Sequence, residues 1–246
     1  MLGAPVLLNA DDAQVAALDC GTHTFGVTAD AGYRGCIVSD TADGLQIALR
    51  NILISCPTLF GQFNASNILA AVAMAHQLGL SFEQSACALA GFSGVAGRLE
   101  RYAMRNGALF IIDYAHNPDS YRAVLCALRA QTNQLIVVFG AGGKRDKSKR
   151  PLMGTVAAQF ADTIILTSDN PRDEDPASIV ADIHAGIPND SHVIIELDRQ
   201  CAIERAYQLS NKQAIIALLG KGPDEYQIVG TSKTFFSEKE IIASLR

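Results

Sequence analysis

Short hydrophobic runs alternate with amphipathic segments from residue 99 to the end of the chain. The runs predict strands at residues 108–113, 135–139, 163–167, 192–196 and 213–218. The segments between them predict helices at 119–131, 152–160, 177–185 and 199–209, then a strand or strand pair around 226–236 and a helix at 238–244. Strands that alternate with helices form parallel sheets covered on both faces, so we expect an α/β fold with a Rossmann-like, mostly parallel sheet.

The first 97 residues follow a less regular pattern. Residues 4–12 predict a buried strand that ends in a turn, and short strand segments follow around 24–27 and 35–38. Helical spacing predicts helices over 68–78 and 81–89, with Asn64 or Asn67 as a plain N-cap of the first helix. The glycines of residues 91–97 predict a connector, which places a domain boundary near Gly97.

The composition indicates a globular protein with one large or two modest domains. Of its 246 residues, 49% are hydrophobic, which is enough for a sizeable core. A formal net charge of -5 disfavours a nucleic-acid partner. The sequence has no apolar stretch near the roughly 20 residues that span a bilayer and no basic, then apolar, leader at its start. We therefore expect a cytoplasmic protein without a membrane partner.

The cysteines point to neither a metal site nor a disulfide framework. They lack CxxC or metal-ligand spacing and lie mainly among apolar neighbours, which predicts reduced, structural thiols and no metal ligands. The six are Cys20, Cys36, Cys56, Cys87, Cys126 and Cys201.

A glycine-rich and basic loop at residues 140–151 follows the apolar run 135–139. Its backbone can approach an anion closely and its five cations, within seven residues, can neutralise one, which favours phosphate or carboxylate chemistry. The alternative is an ordinary solvated turn. A second polar cluster, Ser168-Asp169-Asn170-Pro171-Arg172, follows the run 163–167 and favours the functional interpretation.

Four polar or glycine-rich loops follow predicted strands in this half of the chain. Because the carboxyl ends of parallel strands meet at one sheet edge, these loops should line one cleft. They span residues 113–119, 140–150, 169–172 and 220–225.

Six motifs, in order along nearly the whole chain, resemble those of the Mur ligase family. They cover residues 61–67, 97–100, 113–119, 142–151, 169–176 and 220–222. Within the family, the resemblance is greatest to the ligases that add the third residue of the peptidoglycan stem peptide. It implies that residues 1–97 are the distal part of an α/β ATPase-type central domain without its P-loop, and that residues 98–246 are the C-terminal domain.

The resemblance also implies an activity in cell wall biogenesis, cell shape and cell division. ATP phosphorylates a carboxylate of UDP-MurNAc-L-Ala-D-Glu, and the amine of a diamino acid, meso-diaminopimelate by the motif, attacks the acyl phosphate to form an amide. Such chemistry requires clamped phosphates and a positioned nucleophile. A complete enzyme of this kind uses ATP and Mg²⁺, but no residue here is assigned as catalytic or as a metal ligand.

Five residues match nucleotide contacts of the family. An arginine or lysine can neutralise phosphate, and an aspartate can accept hydrogen bonds from ribose hydroxyls. For His116 the alternative is a histidine that only holds its turn. The five residues are Asn67, Arg98, Asp113, His116 and Lys147.

Six residues match contacts to the incoming amino acid. Arg172, in the Asp169-Asn170-Pro171-Arg172 signature, is the specificity residue by this resemblance, because a guanidinium can bind the distal carboxylate that lysine lacks. The six are Arg145, Asp169, Asn170, Arg172, Gly220 and Asp224.

One departure weakens the assignment of meso-diaminopimelate. Where the family commonly has Gly-Lys-Gly-His-Glu, this chain has Gly-Lys-Gly-Pro223-Asp224, so the acid is one methylene shorter and proline removes a backbone donor. Glu225 is an alternative acid if the loop shifts.

The sequence contains no GxxxxGK motif followed by Ser or Thr. We therefore expect this chain alone to be nearly inactive as a ligase, and to be a fragment or one piece of a split enzyme whose N-terminal portion pairs with the edge near residues 6–8. The alternative is a degenerate module that binds an amino acid or nucleotide without catalysis. A dinucleotide fingerprint at residues 140–143 is a weaker alternative, because no GxGxxG follows the first strand.

Overall fold

The computed structural model describes residues 6–18 and 23–246. The chain divides into two compact units, Met1–Gly94 and Val95–Arg246, and each has a hydrophobic core of its own. The start of the predicted first strand, at positions 4 and 5, lies outside the described residues, as does Cys20.

The first unit contains a mixed five-stranded sheet with strands in sequence order. They are β1 (Leu7–Asn9), β2 (His23–Gly26), β3 (Tyr33–Thr41), β4 (Gly44–Leu49) and β5 (Ile52–Cys56). The first three strands are parallel, and β3, β4 and β5 form an antiparallel meander. The helices are α1 (Ala13–Ala16), α2 (Gln62–Gln77) and α3 (Phe82–Ala90). Ile68, Leu69 and Val72 of α2 are buried in the core of this unit.

The predicted strand segments around 24–27 and 35–38 lie largely within β2 and β3, but β4 and β5 of the meander were not predicted. The predicted N-cap of the first long helix is wrong. Helix α2 starts at Gln62, so neither Asn64 nor Asn67 is its N-cap: both lie inside the helix, which follows Gly61 with φ 89°. Asn64 donates instead to Phe60 O at 2.9 Å, and Asn67 donates to Asn64 Oδ1 at 3.3 Å.

The second unit has the predicted α/β architecture. Its strands are β6 (Glu100–Ala103), β7 (Leu109–Asp113), β8 (Leu135–Phe139), β9 (Thr163–Leu166), β10 (Val193–Ile195) and β11 (Ile215–Leu219), with a separate hairpin of β12 (Tyr226–Val229) and β13 (Ser232–Phe235). The helices are α4 (Pro118–Arg129), α5 (Lys149–Phe160), α6 (Pro176–His184), α7 (Arg199–Leu209) and α8 (Glu238–Ser244). The mostly parallel sheet is confirmed; β6, which is antiparallel to β7, was not predicted.

The strand order is β10-β9-β8-β11-β7-β6, so β11 lies in the middle of the sheet. Every residue of β8 and β11 is buried, which explains their uninterrupted apolar runs. Leu219, the last residue of β11, pairs with both Asp113 and Phe139. The register therefore brings the loops after four parallel strands to one edge of the sheet.

Candidate functional site

The loops after β7, β8, β9 and β11 pack directly against one another. Gly143 of the β8 loop lies so close to the β9 loop that a Cβ atom there would overlap the carbonyl oxygen of Pro171. Gly222 of the β11 loop similarly leaves no room for a Cβ atom beside Tyr114 of the β7 loop. The predicted clustering of these loops is therefore present, and glycine is required at its tightest contacts.

Glu174 organises the basic loop after β8. One carboxylate oxygen accepts a hydrogen bond from Lys144 N at 2.5 Å, and the other lies 3.2 Å from Lys147 Nζ and 3.0 Å from Arg150 Nη1. The hydrogen bond from Arg150 is the main reason that the pKa of Glu174 falls to about 2. Arg150 is itself buried and also pairs with Asp182 at 2.8 Å.

The other cations of this loop differ in their surroundings. Lys144 pairs with Asp173, and Lys149 Nζ donates to His116 O at 2.8 Å. Arg145 is exposed and carries no ion pair within the described part of the chain. The loop therefore carries less uncompensated positive charge than its sequence indicates, and Arg145 is the cation best placed to meet an anion.

Arg172 is half-buried and held in the left-handed backbone region, with φ 55°. Its Nη1 donates to Gly143 O at 2.9 Å and to Asn170 O at 3.3 Å. Among the residues that the structure describes, no hydrogen bond from its Nε or Nη2 is found. The guanidinium is thus fixed through one nitrogen while two others can still bind a carboxylate.

Asp169 and Asn170, which lie in the same loop as Arg172, are buried. Gly220, in the β11 loop, has φ 105° and donates its N–H to Asp113 O at 3.1 Å. A Cβ atom at Gly220 would lie 2.8 Å from Asp169 Oδ2, so the two loops meet there.

Asp224 is half-buried, and its hydrogen bond with Tyr226 is the main cause that raises the pKa of that phenol. Glu225, the alternative acid, accepts a hydrogen bond from Ser237 Oγ at 3.4 Å. Glu225 is therefore engaged with the segment that leads into α8.

On the nucleotide side, Asp113 is buried and both its oxygens accept backbone hydrogen bonds, from Leu99 N at 2.9 Å and Ala115 N at 2.8 Å. Burial raises the pKa of Asp113, although these hydrogen bonds oppose the shift. Exposed Arg98 has its guanidinium 4.9 Å from the centre of the Tyr114 ring. The ribose contact predicted for Asp113 stays a prediction, while its bonds to the backbone show that it shapes this loop.

His116 is exposed, and its Nδ1 lies 2.9 Å from Tyr114 O. This contact suits the histidine that holds its turn and leaves a nucleotide contact untested. Asn67 belongs to α2 of the first unit, whereas the other predicted nucleotide residues belong to the second.

Sequence reasoning missed the buried charges behind the loops. Arg199 forms an ion pair with Glu238 at 2.8 Å and also donates to Leu219 O at 3.0 Å. Lys221 is fully buried and lies 3.4 Å from Asp169. Lys221 stands in the Gly-Lys-Gly motif, but neither Arg199 nor Glu238 has a sequence signal that marks it as buried.

Neither a metal-binding cluster nor a membrane-spanning helix is found in the part of the chain that the structure describes. No cluster of three or more His, Cys, Asp or Glu side chains is arranged to hold a metal ion. None of the described helices has the length and apolar character needed to cross a membrane.

Most of the second unit matches a known protein family. The family described as "Mur ligase, glutamate ligase domain" matches residues 97–222. The chain belongs to the Mur ligase family. The match covers all four loops of the candidate site as far as Gly222.

Relatives of known name extend the similarity into the first unit. A UDP-N-acetylmuramoyl-L-alanyl-D-glutamate--2,6-diaminopimelate ligase from Synechococcus elongatus is 42% identical over 258 residues, which is 97% of this chain and 50% of the relative. A ligase of the same name from Gloeobacter violaceus is 45% identical over 184 residues, covering 74% of this chain and 38% of the relative. The chain thus spans about half the length or less of these Mur ligases.

Solved structures of peptide ligases share the fold. A structure of a UDP-N-acetylmuramoyl-L-alanyl-D-glutamate--2,6-diaminopimelate ligase has TM-score 0.67 and 31% identity, covering 97% of this chain and 52% of that chain. A pseudomurein peptide ligase type C from Methanothermus fervidus has TM-score 0.74 over 98% of this chain and 57% of that chain. Its identity of 18% means that it supports the fold alone.

Proposed function

We propose that this chain supplies the amino-acid site of an ATP-dependent amide ligase of peptidoglycan precursor synthesis. The complete enzyme joins a diamino acid, meso-diaminopimelate by our proposal, to UDP-MurNAc-L-Ala-D-Glu. The similarity to relatives named as diaminopimelate ligases supports this proposal. The first unit then corresponds to the distal part of a central domain, and the second unit corresponds to the C-terminal domain.

The guanidinium of Arg172 carries the proposal. It is held by Gly143 O and Asn170 O, so its orientation is set before any ligand arrives. Diaminopimelate has a second carboxylate at its far end, and the free edge of a guanidinium matches a carboxylate with two parallel hydrogen bonds. Lysine has no group there, so the same site discriminates against it.

In the proposed reaction, the γ-phosphate of ATP moves to a substrate carboxylate and ADP leaves. The amine of the diamino acid then attacks the acyl carbon, the C–N bond forms, and phosphate departs as the amine loses a proton. Arg98 presents an exposed guanidinium suited to phosphate oxygens, and exposed Arg145 is suited to a carboxylate of the amino acid. We assign no step to a metal ion held by the described residues of this chain.

An N-terminal portion, on the same or another chain, supplies the P-loop that this sequence lacks. We propose that the complete enzyme acts in the cytoplasm on nucleotide-linked substrates. The competing proposal, a non-catalytic amino-acid or nucleotide-binding module, is favoured by Pro223 and Asp224 in place of the family's His and Glu.

Calorimetric titration of the chain with meso-diaminopimelate and with L-lysine tests the function. We expect binding of diaminopimelate alone, lost in Arg172→Ala and weakened about tenfold or more in Arg172→Lys, because an ammonium cannot replace the planar fork. Arg205→Ala, which removes an exposed arginine from α7, is the control and should bind like the parent.

Binding of lysine as tightly as diaminopimelate would contradict the assigned substrate. Binding of neither amino acid would favour the non-catalytic module.

A further inference from the structure

The segment Asp169–Arg172 has a conformation that it does not hold alone. Arg172 lies in the left-handed region, which is unfavourable for a residue with a side chain unless its surroundings fix it. Strand β12 provides this support: Arg172 N donates to Ile228 O at 3.1 Å, and Arg172 O accepts from Gly230 N at 2.7 Å. The hairpin therefore satisfies both the backbone N–H and the backbone C=O of Arg172.

The neighbouring Asn170 is held by the same strand. Its Oδ1 accepts a hydrogen bond from Ile228 N at 2.9 Å, and its backbone oxygen accepts from Gly143 N at 2.9 Å. The side-chain oxygen of Asn170 is therefore occupied by the protein, which orients its amide group.

Lys221 joins these pieces from inside the fold. Its ammonium is fully buried and donates to Tyr226 O at 2.6 Å and to Asn170 Oδ1 at 3.5 Å, and it lies 3.4 Å from Asp169 Oδ1. The ring of Phe236 covers it, with its centre 5.4 Å from Nζ. An ammonium has three N–H donors; two of them are used in these hydrogen bonds, and the contact with Asp169 is an ion pair.

The buried ammonium of Lys221 is therefore not available to bind a ligand directly, although Lys221 belongs to a motif that resembles a ligand-binding loop. A lysine that neutralises substrate must present its ammonium to the cleft, and this one is enclosed. Burial lowers the pKa of Lys221, while the charge of Asp169 opposes that shift.

Gln227 adds a second support from β12. Its Nε2 donates to Asp169 O at 2.9 Å and lies 3.5 Å from Ser168 Oγ. Lys221 and Gln227 thus hold the same short segment from two directions, one through side chains and the other through the backbone.

We propose that Lys221 and Gln227 are positioning residues that hold Asp169–Arg172 in the conformation in which Arg172 receives the distal carboxylate of the amino acid. This inference rests on the proposed function, which it deepens by naming the residues behind the specificity segment. Loss of either residue should weaken diaminopimelate binding and also reduce its preference over lysine, since a loosely held guanidinium no longer discriminates.

The test uses the full chain with Lys221→Met and Gln227→Met. Lys221→Met leaves the buried carboxylate of Asp169 without its ion-pair partner, and this variant could fail to fold for that reason. Gln227→Met keeps the length of a half-buried side chain and removes only its hydrogen bonds, so it tests the proposal independently of Lys221→Met. Lys233→Met is the matched control, because Lys233 is exposed on the same hairpin and its ammonium lies over the Tyr226 ring.

Hydrogen exchange without ligand is measured first. We expect the amides of Gly143, Arg172 and Ile228 to exchange about tenfold faster or more in Gln227→Met and Lys221→Met, with β8 and the Lys233→Met control unchanged. Titration is measured second, and Kd for meso-diaminopimelate should rise about tenfold or more while the affinity ratio to lysine falls.

Two results would overturn the positioning role alone: amide exchange in Gln227→Met equal to that of the control, or unchanged affinity in a chain that binds diaminopimelate. A parent chain that binds no diaminopimelate would overturn the proposed function and this role with it. The exchange measurement then still reports whether the two residues hold the segment.

Discussion

Asp11 shows how one carboxylate fixes a loop of the first unit. Its Oδ1 accepts from Thr28 N at 2.9 Å, Thr28 Oγ1 at 2.7 Å and Ala29 N at 2.7 Å, and its Oδ2 accepts from Val27 N at 2.6 Å. Burial acts to raise the pKa of Asp11, but these hydrogen bonds, that of the Thr28 hydroxyl first, lower it to about 2.

Replacement of Asp11 should therefore lower the stability of the protein by an amount that depends on pH. The pKa of Asp11 in the folded state, about 2, lies below its ordinary value of 3.8. The stabilisation from the ionised carboxylate is therefore complete at pH values above 3.8 and is lost as the pH falls toward 2. We expect Asp11→Asn to lower the free energy of unfolding by about 1 kcal/mol at pH 7, a modest figure because the group is partly solvated.

Urea unfolding followed by circular dichroism measures this, with Asp30→Asn, an exposed neighbour, as the control. A difference between Asp11→Asn and the parent that persists undiminished at pH 2 would contradict the explanation.

The residues of the candidate site differ in how far the sequence could predict them. Arg172 is recognisable because it follows a strand end within a motif, and the structure holds it in the expected loop cluster. Lys221 and Gln227 are not, because their roles depend on the hairpin packing back onto the β9 loop, and no local pattern encodes that. The pairing of Glu174 with Lys147 and Arg150 likewise requires that two loops after adjacent strands meet.

At the scale of elements, two adjacent glycines of the β8 loop provide a matched pair. A Cβ atom at Gly143 would overlap the carbonyl oxygen of Pro171, which is backbone and cannot move freely. At Gly142 the nearest atom is Arg172 Nη1 at 3.1 Å, a side-chain atom that needs to shift by only a few tenths of an ångström.

We expect Gly143→Ala to lower the free energy of unfolding by about 3 kcal/mol, because the β8 and β9 loops must separate. Gly142→Ala should change it by about 0.5 kcal/mol or less. Thermal or urea unfolding of the two variants side by side measures this. Equal stability of both variants would show that the loops do not meet as closely as described.

The strands that the sequence located best are those buried on both faces of the second unit's sheet. Parallel strands such as β8 and β11 are covered on both faces and appear as continuous apolar runs, so the sequence located them within two residues. In the first unit only residues 35–38 of β3 were predicted, because the strand carries polar residues such as Ser39 and Asp40 and shifts register between Ile37 and Ser39, which breaks the alternation. Strands β4 and β5 were not predicted, although their sequences are mainly apolar. Helix α2 begins at Gln62, six residues before the predicted start, and its N-cap is Gly61. The prediction placed the start too late because the asparagines at positions 64 and 67 are residue types typical of an N-cap.

At the scale of the whole molecule, we predict that the 246-residue polypeptide alone forms no amide bond and releases no phosphate from ATP. The physical reason is that the sequence has no GxxxxGK motif to cradle the phosphates, and exposed cations such as Arg98 cannot replace a set of backbone amides. Phosphate release with UDP-MurNAc-dipeptide and meso-diaminopimelate measures it.

The control adds the N-terminal half of the Synechococcus elongatus ligase as a separate polypeptide. Activity that appears only in the mixture would favour the split or truncated ligase. ATP-dependent amide formation by the 246-residue polypeptide alone would contradict the prediction.

The position of β11 has a consequence for how the second unit is made. This strand comes after β7, β8, β9 and β10 in the chain, yet it lies between β8 and β7 at the middle of the sheet. Until the ribosome has released residues 215–219, the β6–β7 pair and the β8–β9–β10 group each expose an unpaired edge. We therefore expect nascent chains that stop before β11 to be prone to aggregation, and folding to be completed late in synthesis.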